Sequence, residues 1–309
     1  MGLSRFAPLL LGLALAGAGC AQDTPTFRIE SKLVNLWVNV TDPNGAIVAD
    51  LNKEDFRVTE DGRAQEISVF ERQAEQPLRI MLAIDTSEST FKDRAMEQQA
   101  SHKFIHTLLR PQDEIEVMQF ATSVDLLVPF TNNEKRLDRG LGSLKGGEAT
   151  ALYDAIYLAS DELAKKEGRK VLVLVSDGGD TAKNTTYQQA LDEALRGEAM
   201  IYSVIDVPIA ASAGRDTGGE HALITLAEQT GGKSFYVQQG NLDKAFQQVS
   251  DALRTQYLIG YYPRNQVPGV NFHKVSVSVP RASAEAFNIR HRTGYFANPP
   301  EQPRRRTAE

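Results

Sequence analysis

The 309-residue chain has one cysteine, one tryptophan and five histidines, and each scarcity excludes something. With Cys20 alone, no internal disulfide and no multi-cysteine metal site can brace the fold. Positive charge is also in deficit: 34 Lys and Arg against 40 Asp and Glu leave a net −6. A general nucleic-acid binder needs a concentrated basic surface to neutralise phosphates, so that class is excluded. The one dense basic run, Arg304-Arg305-Arg306 beside Pro303, reads as part of a solvated, disordered tail over 298–309. Long apolar runs are missing too. None reaches the about 20 residues that a membrane-spanning helix requires, so no transmembrane helix is expected in the mature chain. The catalytic signatures G-x-S-x-G, the P-loop and H-E-x-x-H do not occur. Their absence favours binding over catalysis.

The content that remains is globular. Hydrophobic residues make up 41% and charged residues 24%, a balance that buries a core rather than staying disordered. The length suffices for one large domain or two ordinary ones. Residues 1–21 stand apart: Arg5, the apolar stretch Leu9 to Ala16, then the small residues Gly17 to Ala21. That order describes a secretory signal peptide. Cleavage after Ala21 gives a secreted or periplasmic protein starting at Gln22. A second reading makes Cys20 the acylated first residue of a lipoprotein anchored to the cell envelope. Gly17 stands where such signals usually carry Leu. Both readings stay open.

Three regions follow. Residues 22–76 form an all-β segment: Val34, Leu36, Val38 and Val40 alternate with polar neighbours, the period of a half-buried strand. Asp42-Pro43-Asn44-Gly45 is turn chemistry, and Phe56, Val58, Ile67 and Val69 flank Glu60-Asp61-Gly62-Arg63 as a hairpin. Residues 77–253 change character. Leu78 to Ile84 and Lys170 to Ser176 are nearly continuous apolar runs, as expected for strands covered on both faces. Helical stretches alternate with them, one with Ala100, Phe104 and Leu108 on a stripe. That alternation predicts an α/β fold, a doubly wound and mainly parallel sheet. In residues 254–297, Tyr257 to Tyr262, His273 to Val279 and Asn288 to Tyr295 each fit a strand. The two outer β segments are small alone but together supply enough strands for a sandwich. The α/β region is therefore expected to be an insertion in a β-sandwich made by the N- and C-terminal strands.

Asp85-Thr86-Ser87-Glu88-Ser89 follows the first buried strand, at the strand end where open α/β sheets bind ligands. One carboxylate and two hydroxyls at alternate positions can turn toward a single point. A hard divalent cation such as Mg²⁺ takes oxygen ligands and keeps some of its waters. Two further loops bring oxygens: Gly146-Gly147-Glu148-Ala149-Thr150 before a helix, and Ser176-Asp177-Gly178-Gly179-Asp180 after the second buried strand. Helix capping would account for one such residue but not for the set. Asp85, Ser87, Ser89, Thr150 and Asp177 are the candidate ligands, with Glu88 and Asp180 as outer neighbours.

This order resembles the metal-ion-dependent adhesion site of von Willebrand factor type A domains, with the likeness covering roughly residues 77–253. The resemblance implies that those five residues coordinate one cation, Mg²⁺ with Mn²⁺ or Ca²⁺ as alternatives, some directly and some through water. It also implies a protein partner offering an Asp or Glu carboxylate. Val40-Thr41-Asp42, Asp55-Phe56, Glu60-Asp61-Gly62, Tyr261-Tyr262-Pro263 and Gly294-Tyr295-Phe296 are similar to the acidobacterial-type branch of such proteins. One departure is Glu88, where the family often has Gly. A further carboxylate there strengthens cation binding but repels an acidic ligand, or simply points to solvent.

Two other patterns are weaker. His102 and His106 stand four apart on a helix, but Lys103 replaces the Glu of the zinc motif and the face reads as solvated. Asp42, Asp55 and Asp61 sit in turn patterns that need Asp for backbone reasons. The expected function is a cation-dependent protein-binding module of the envelope. The alternatives are a metal-assisted hydrolase and a structural envelope protein in which the cation only braces loops.

Overall fold

The computed structural model describes residues 33–72, 76–88, 94–206, 217–237, 241–264, 270–280 and 287–297. The expected signal peptide, Cys20, Ser89 and the tail over 298–309 lie outside them. In chain order the elements are β1 (Val34–Thr41), β2 (Arg57–Glu60), β3 (Arg63–Gln65) and β4 (Ile67–Arg72). Then come β5 (Leu78–Asp85), α1 (Arg94–Leu108), β6 (Glu114–Phe120), β7 (Val124–Thr131), α2 (Glu134–Leu141) and α3 (Leu152–Ala164). These lead to β8 (Arg169–Ser176), α4 (Tyr187–Arg196), β9 (Met200–Ile205), α5 (Thr217–Thr230), β10 (Lys233–Tyr236) and α6 (Leu242–Arg254). The chain finishes with β11 (Tyr257–Tyr261), β12 (Phe272–Ser278), β13 (Asn288–Arg290) and β14 (Gly294–Phe296).

The central sheet runs β10-β9-β8-β5-β6-β7, parallel except for the edge strand β7. Its strands are apolar on both faces because both are covered. On one face Ile80, Leu82 and Ile84 pack with Phe104, Ile105 and Leu108 of α1, Leu137 of α2 and Phe246 of α6. On the other, Met81, Ala83, Leu172 and Leu174 meet Leu152 and Ile156 of α3, Leu191 of α4 and Leu223 of α5. The α/β, doubly wound fold is thus as the sequence predicts. β5 sits centrally: the chain leaves it through α1 to β6 on one side and returns through α3 to β8 on the other. Such a reversal opens a crevice at the carboxyl ends of the strands.

The outer strands make two four-stranded sheets, β13-β1-β11-β4 and β14-β12-β2-β3. Between them lie Val34, Leu36, Val38, Val40, Phe56, Val58, Tyr257, Ile259, Val275 and Val277. This is the expected sandwich of N- and C-terminal strands. Two details differ from expectation. The hairpin pairs β2 with β3, Glu60 opposite Arg63, around Asp61 and Gly62 with φ of 48° and 77°. Both values are positive, as a two-residue type I′ turn demands. Ile67 and Val69 then belong to β4, which crosses to the other sheet and pairs with β11. Likewise Asn288 to Tyr295 is not one strand: β13 pairs with β1 and β14 with β12, so the chain switches sheets at residues 291–293. Alternation shows which face of a strand is apolar, not which sheet it joins.

The single tryptophan, Trp37 on β1, lies 4.8 Å from the guanidinium of the buried Arg169 at the start of β8. Burial lowers the Arg169 pKa to about 10. Tyr202 on β9 accepts a hydrogen bond on its hydroxyl from Gln256 at 3.0 Å. These contacts seat the α/β layers on the sandwich.

Candidate metal centre

Asp85 closes β5 with no exposed surface, and Ser87 follows it almost as deeply buried. The Asp85 carboxylate is oriented on both oxygens. Oδ1 accepts from the backbone N–H of Ser87 at 2.9 Å, and Oδ2 accepts from the hydroxyl of Ser176 at 2.7 Å. Ser176 ends the neighbouring strand β8, and the next residue in the chain is Asp177. Burial pushes the Asp85 pKa from 3.8 up to about 6; the hydrogen bonds from Ser87 and Ser176 oppose that rise, and the negative charge of Asp177 adds to it. A buried carboxylate and a half-buried one therefore stand at neighbouring strand ends, a combination that favours an added positive charge.

The three loops are laced to one another. Thr86 donates its N–H to the Phe120 carbonyl at 2.8 Å, and its own carbonyl accepts from Gly147 N–H at 3.1 Å. Ser87 and Gly147 form an isolated parallel bridge. A β-carbon on Gly147 would come within 2.7 Å of the Ala121 methyl, so the loop passes too close for a side chain. The Thr150 carbonyl accepts from Thr181 N–H at 2.9 Å and Ala182 N–H at 3.2 Å, while Thr150 N–H donates to the Thr181 hydroxyl at 2.8 Å. Gly178 has φ of +108°, and a β-carbon there would meet the backbone of Gly219 and Glu220 at 2.8 Å. The loop after β8 is thereby pressed against α5.

The predicted residues that the structure describes have definite places. Asp85, Ser87, Thr150 and Asp177 stand on the three laced loops; Ser89 lies outside the described residues. Thr150 does not cap α3: the cap position is Ala151, which has no side-chain cap bond. Asp180 holds its loop, accepting from Tyr153 N–H and from Lys183 N–H, each at 3.2 Å. Glu88 is exposed. Sequence reasoning missed Ser176 and Thr181. Ser176 reads as the last residue of a buried strand, and only the β5–β8 register places it beside Asp85.

The family profile of the von Willebrand factor type A domain matches residues 80–179, a span that contains Asp85, Ser87, Ser89, Thr150 and Asp177. The chain carries a von Willebrand factor type A domain. No curated protein matches the sequence. Among solved structures, this A domain is similar to proximal thread matrix protein 1 from the mussel byssus, at TM-score 0.50 and 14% identity over 63% of this chain and 51% of that one. It is also similar to an aerotolerance-related membrane protein from Bacteroides fragilis, at TM-score 0.47 and 19% identity over 57% of this chain and 98% of that one. A third is the von Willebrand factor domain of the type V pili tip protein Mfa5 from Porphyromonas gingivalis, at TM-score 0.46 and 13% identity over 64% and 100%. At 14% identity the first of these likenesses speaks to fold alone.

The oxygens present fit a hard cation. Asp85 offers a buried, pre-oriented carboxylate, Asp177 a second charge, and Ser87 and Thr150 neutral hydroxyls; no sulfur or imidazole belongs to the set.

Proposed function

We propose that this chain is a divalent-cation-dependent protein-binding module of the adhesion kind, exported to the periplasm or the cell exterior. The observation that carries the proposal is the buried Asp85 carboxylate, oriented by Ser87 and Ser176 and raised in pKa by its surroundings, with Asp177 beside it. Asp85, Ser87, Ser89, Thr150 and Asp177 would hold the cation, directly or through water. The oxygen-only set suits Mg²⁺, with Mn²⁺ or Ca²⁺ as substitutes. When bound, the ion supplies a position for an Asp or Glu carboxylate from a partner protein. The protein's own part is to keep that position rigid, which the laced loops do, and to surround it with loops that select the partner. Export rests on the N-terminal signal pattern. Among the described residues no helix is long and apolar enough to cross a membrane; the attachment proposed is a lipid anchor at Cys20.

The test is calorimetric titration of the full chain with Mg²⁺, joined to capture from envelope extract in Mg²⁺ and in EDTA. Mg²⁺ binding and cation-dependent capture should both vanish in Asp85→Ala while circular dichroism stays unchanged. Equal capture in EDTA overturns the reading. Mg²⁺-dependent turnover of phosphate or ester substrates would replace it with a hydrolase. Loss of thermal stability in Asp85→Ala without loss of any partner would reduce the ion to a loop brace.

A further inference from the structure

Helices α1 and α2 place four ionisable side chains against one another, on residues that take no part in the centre described above. His102 and His106 stand one turn apart on α1, and Glu134 and Asp138 one turn apart on α2. Such i, i+4 pairs share a helix face. His102 Nδ1 lies 2.6 Å from Asp138 Oδ1, and His106 Nε2 lies 3.3 Å from the same oxygen. His106 Nδ1 lies 2.9 Å from Glu134 Oε2. One donor atom each from His102, His106 and Asp138 falls within 4.8 Å of the other two. The face expected to be merely solvated is a convergent His-His-carboxylate cluster.

The ring nitrogens and carboxylate oxygens converge: His106 Nδ1 has Glu134 Oε2 at 2.9 Å, and His106 Nε2 and His102 Nδ1 both approach Asp138 Oδ1. A positive centre held among these donors, a proton or a metal ion, would offset the carboxylate charge. A carboxylate holding the far nitrogen of a histidine is also how proteins orient that residue as a metal ligand. Zn²⁺ takes imidazole nitrogen and carboxylate oxygen at about 2.0–2.2 Å in a tetrahedron, which donors this close can close around with small side-chain adjustments.

The scaffold is firm. Phe104, Ile105 and Leu108 anchor α1 in the core, as Leu137 and Leu141 anchor α2. Asn133 caps α2, its side chain accepting from Arg136 N–H at 3.1 Å. The Gln98 side chain of α1 donates to the Leu141 carbonyl. Lys103, the cation nearest in sequence, reaches instead to Asp243 on α6. We propose that His102, His106 and Asp138 form a site for Zn²⁺, with Glu134 orienting His106 and water completing the coordination.

The test uses the full chain, stripped of metal and titrated with Zn²⁺ in a large excess of Mg²⁺ so that the hard-oxygen centre is not counted. A Zn²⁺-binding step is expected under these conditions. His102→Ala and His106→Ala should each weaken it roughly tenfold or more, with Glu134→Gln milder, and Asp85→Ala should leave it intact. Failure of the adhesion reading would therefore leave this result untouched. Co²⁺ in place of Zn²⁺ should give visible absorption bands that His106→Ala abolishes. Circular dichroism checks that the variants fold. No Zn²⁺ uptake under excess Mg²⁺, or uptake unchanged in both histidine variants, overturns the proposal. So does an NMR titration in which Zn²⁺ leaves both histidine rings unmoved, which would assign the positive centre to a proton.

Discussion

Two of the buried acids, Glu60 and Asp85, are treated in opposite ways. Glu60, 3% exposed in the sandwich, accepts on Oε2 from the hydroxyls of Tyr261 at 2.7 Å and Tyr295 at 2.8 Å. Its neighbour Asp61 accepts from Lys274 N–H and pairs with His273 Nδ1 at 2.7 Å, a bond that holds Asp61 below the usual carboxylate range. Burial and the nearby Glu60 carboxylate push the Tyr261 phenol well above its ordinary pKa, so it stays a donor. Asp85, fully buried at the carboxyl end of β5, is raised in pKa chiefly by burial, with hydrogen bonds from Ser87 and Ser176 opposing the rise and the Asp177 carboxylate adding to it. The first acid shares its carboxylate between two hydroxyl donors beside the Asp61–His273 pair; the second keeps a raised pKa, which under the proposed function a bound cation would offset. Burial alone therefore does not mark a site, and the balance of partners does. The comparison also explains part of the sequence signature outside the A domain: Glu60, Asp61, Tyr261 and Tyr295 meet in one cluster that fastens β2 to β11, β12 and β14.

Breaking the first acid should cost most. Glu60→Ala removes the acceptor that the Tyr261 and Tyr295 hydroxyls share, an expected loss of about 3 kcal/mol in urea unfolding. A loss below about 1 kcal/mol would show that the cluster is dispensable.

The other acid should behave with the opposite sign when metal is removed. Asp85 holds its proton more tightly in the folded chain, at about 6 against an ordinary 3.8. Stability in EDTA should therefore fall as pH rises from about 4 to about 6 and stay low above that. A shift of about two pH units corresponds to roughly 3 kcal/mol. Asp85→Asn should flatten that slope and, in EDTA near neutral pH, be more stable than the wild type by up to that amount. Saturating Mg²⁺ should reverse the ranking. Denaturation curves at both ends of the window, with and without metal, decide it; an unchanged slope in Asp85→Asn would remove the basis for the contrast.

The smallest effect belongs to the exposed Glu88. Glu88→Gly should change stability by less than about 0.5 kcal/mol. It should speed association with an acidic partner at low salt, a gain that salt screens away. Stopped-flow rates at two ionic strengths are the readout.

Much of this was legible in the chain before the structure. The alternation over Val34 to Val40 and the apolar runs of β5 and β8 are local signals, and they located the sandwich strand, the parallel core and the loops at its carboxyl edge. What escaped depends on pairing between distant residues. Val69 and Tyr295 carry the same alternation whichever sheet they join, so the crossings at β4 and β13–β14 left no trace in periodicity. Ser176 is chemically ordinary until register sets it beside Asp85. The two histidines looked solvated because the carboxylates opposite them lie on another helix.

The pairing of β4 with β11 has a kinetic consequence. Arg72 and Tyr257 are partners in one ladder, yet the whole A domain lies between them in the chain. Bringing such distant ends together in an unfolded chain carries a loop-closure entropy that nothing offsets until strands pair. If the A domain, built from contacts between successive strands and helices, forms first, its first and last elements deliver the two ends to each other. The sandwich should therefore close late, after the inserted domain. Slow refolding should appear in the fluorescence of Trp37, on the last layer to settle, rather than in the helical signal of the domain between.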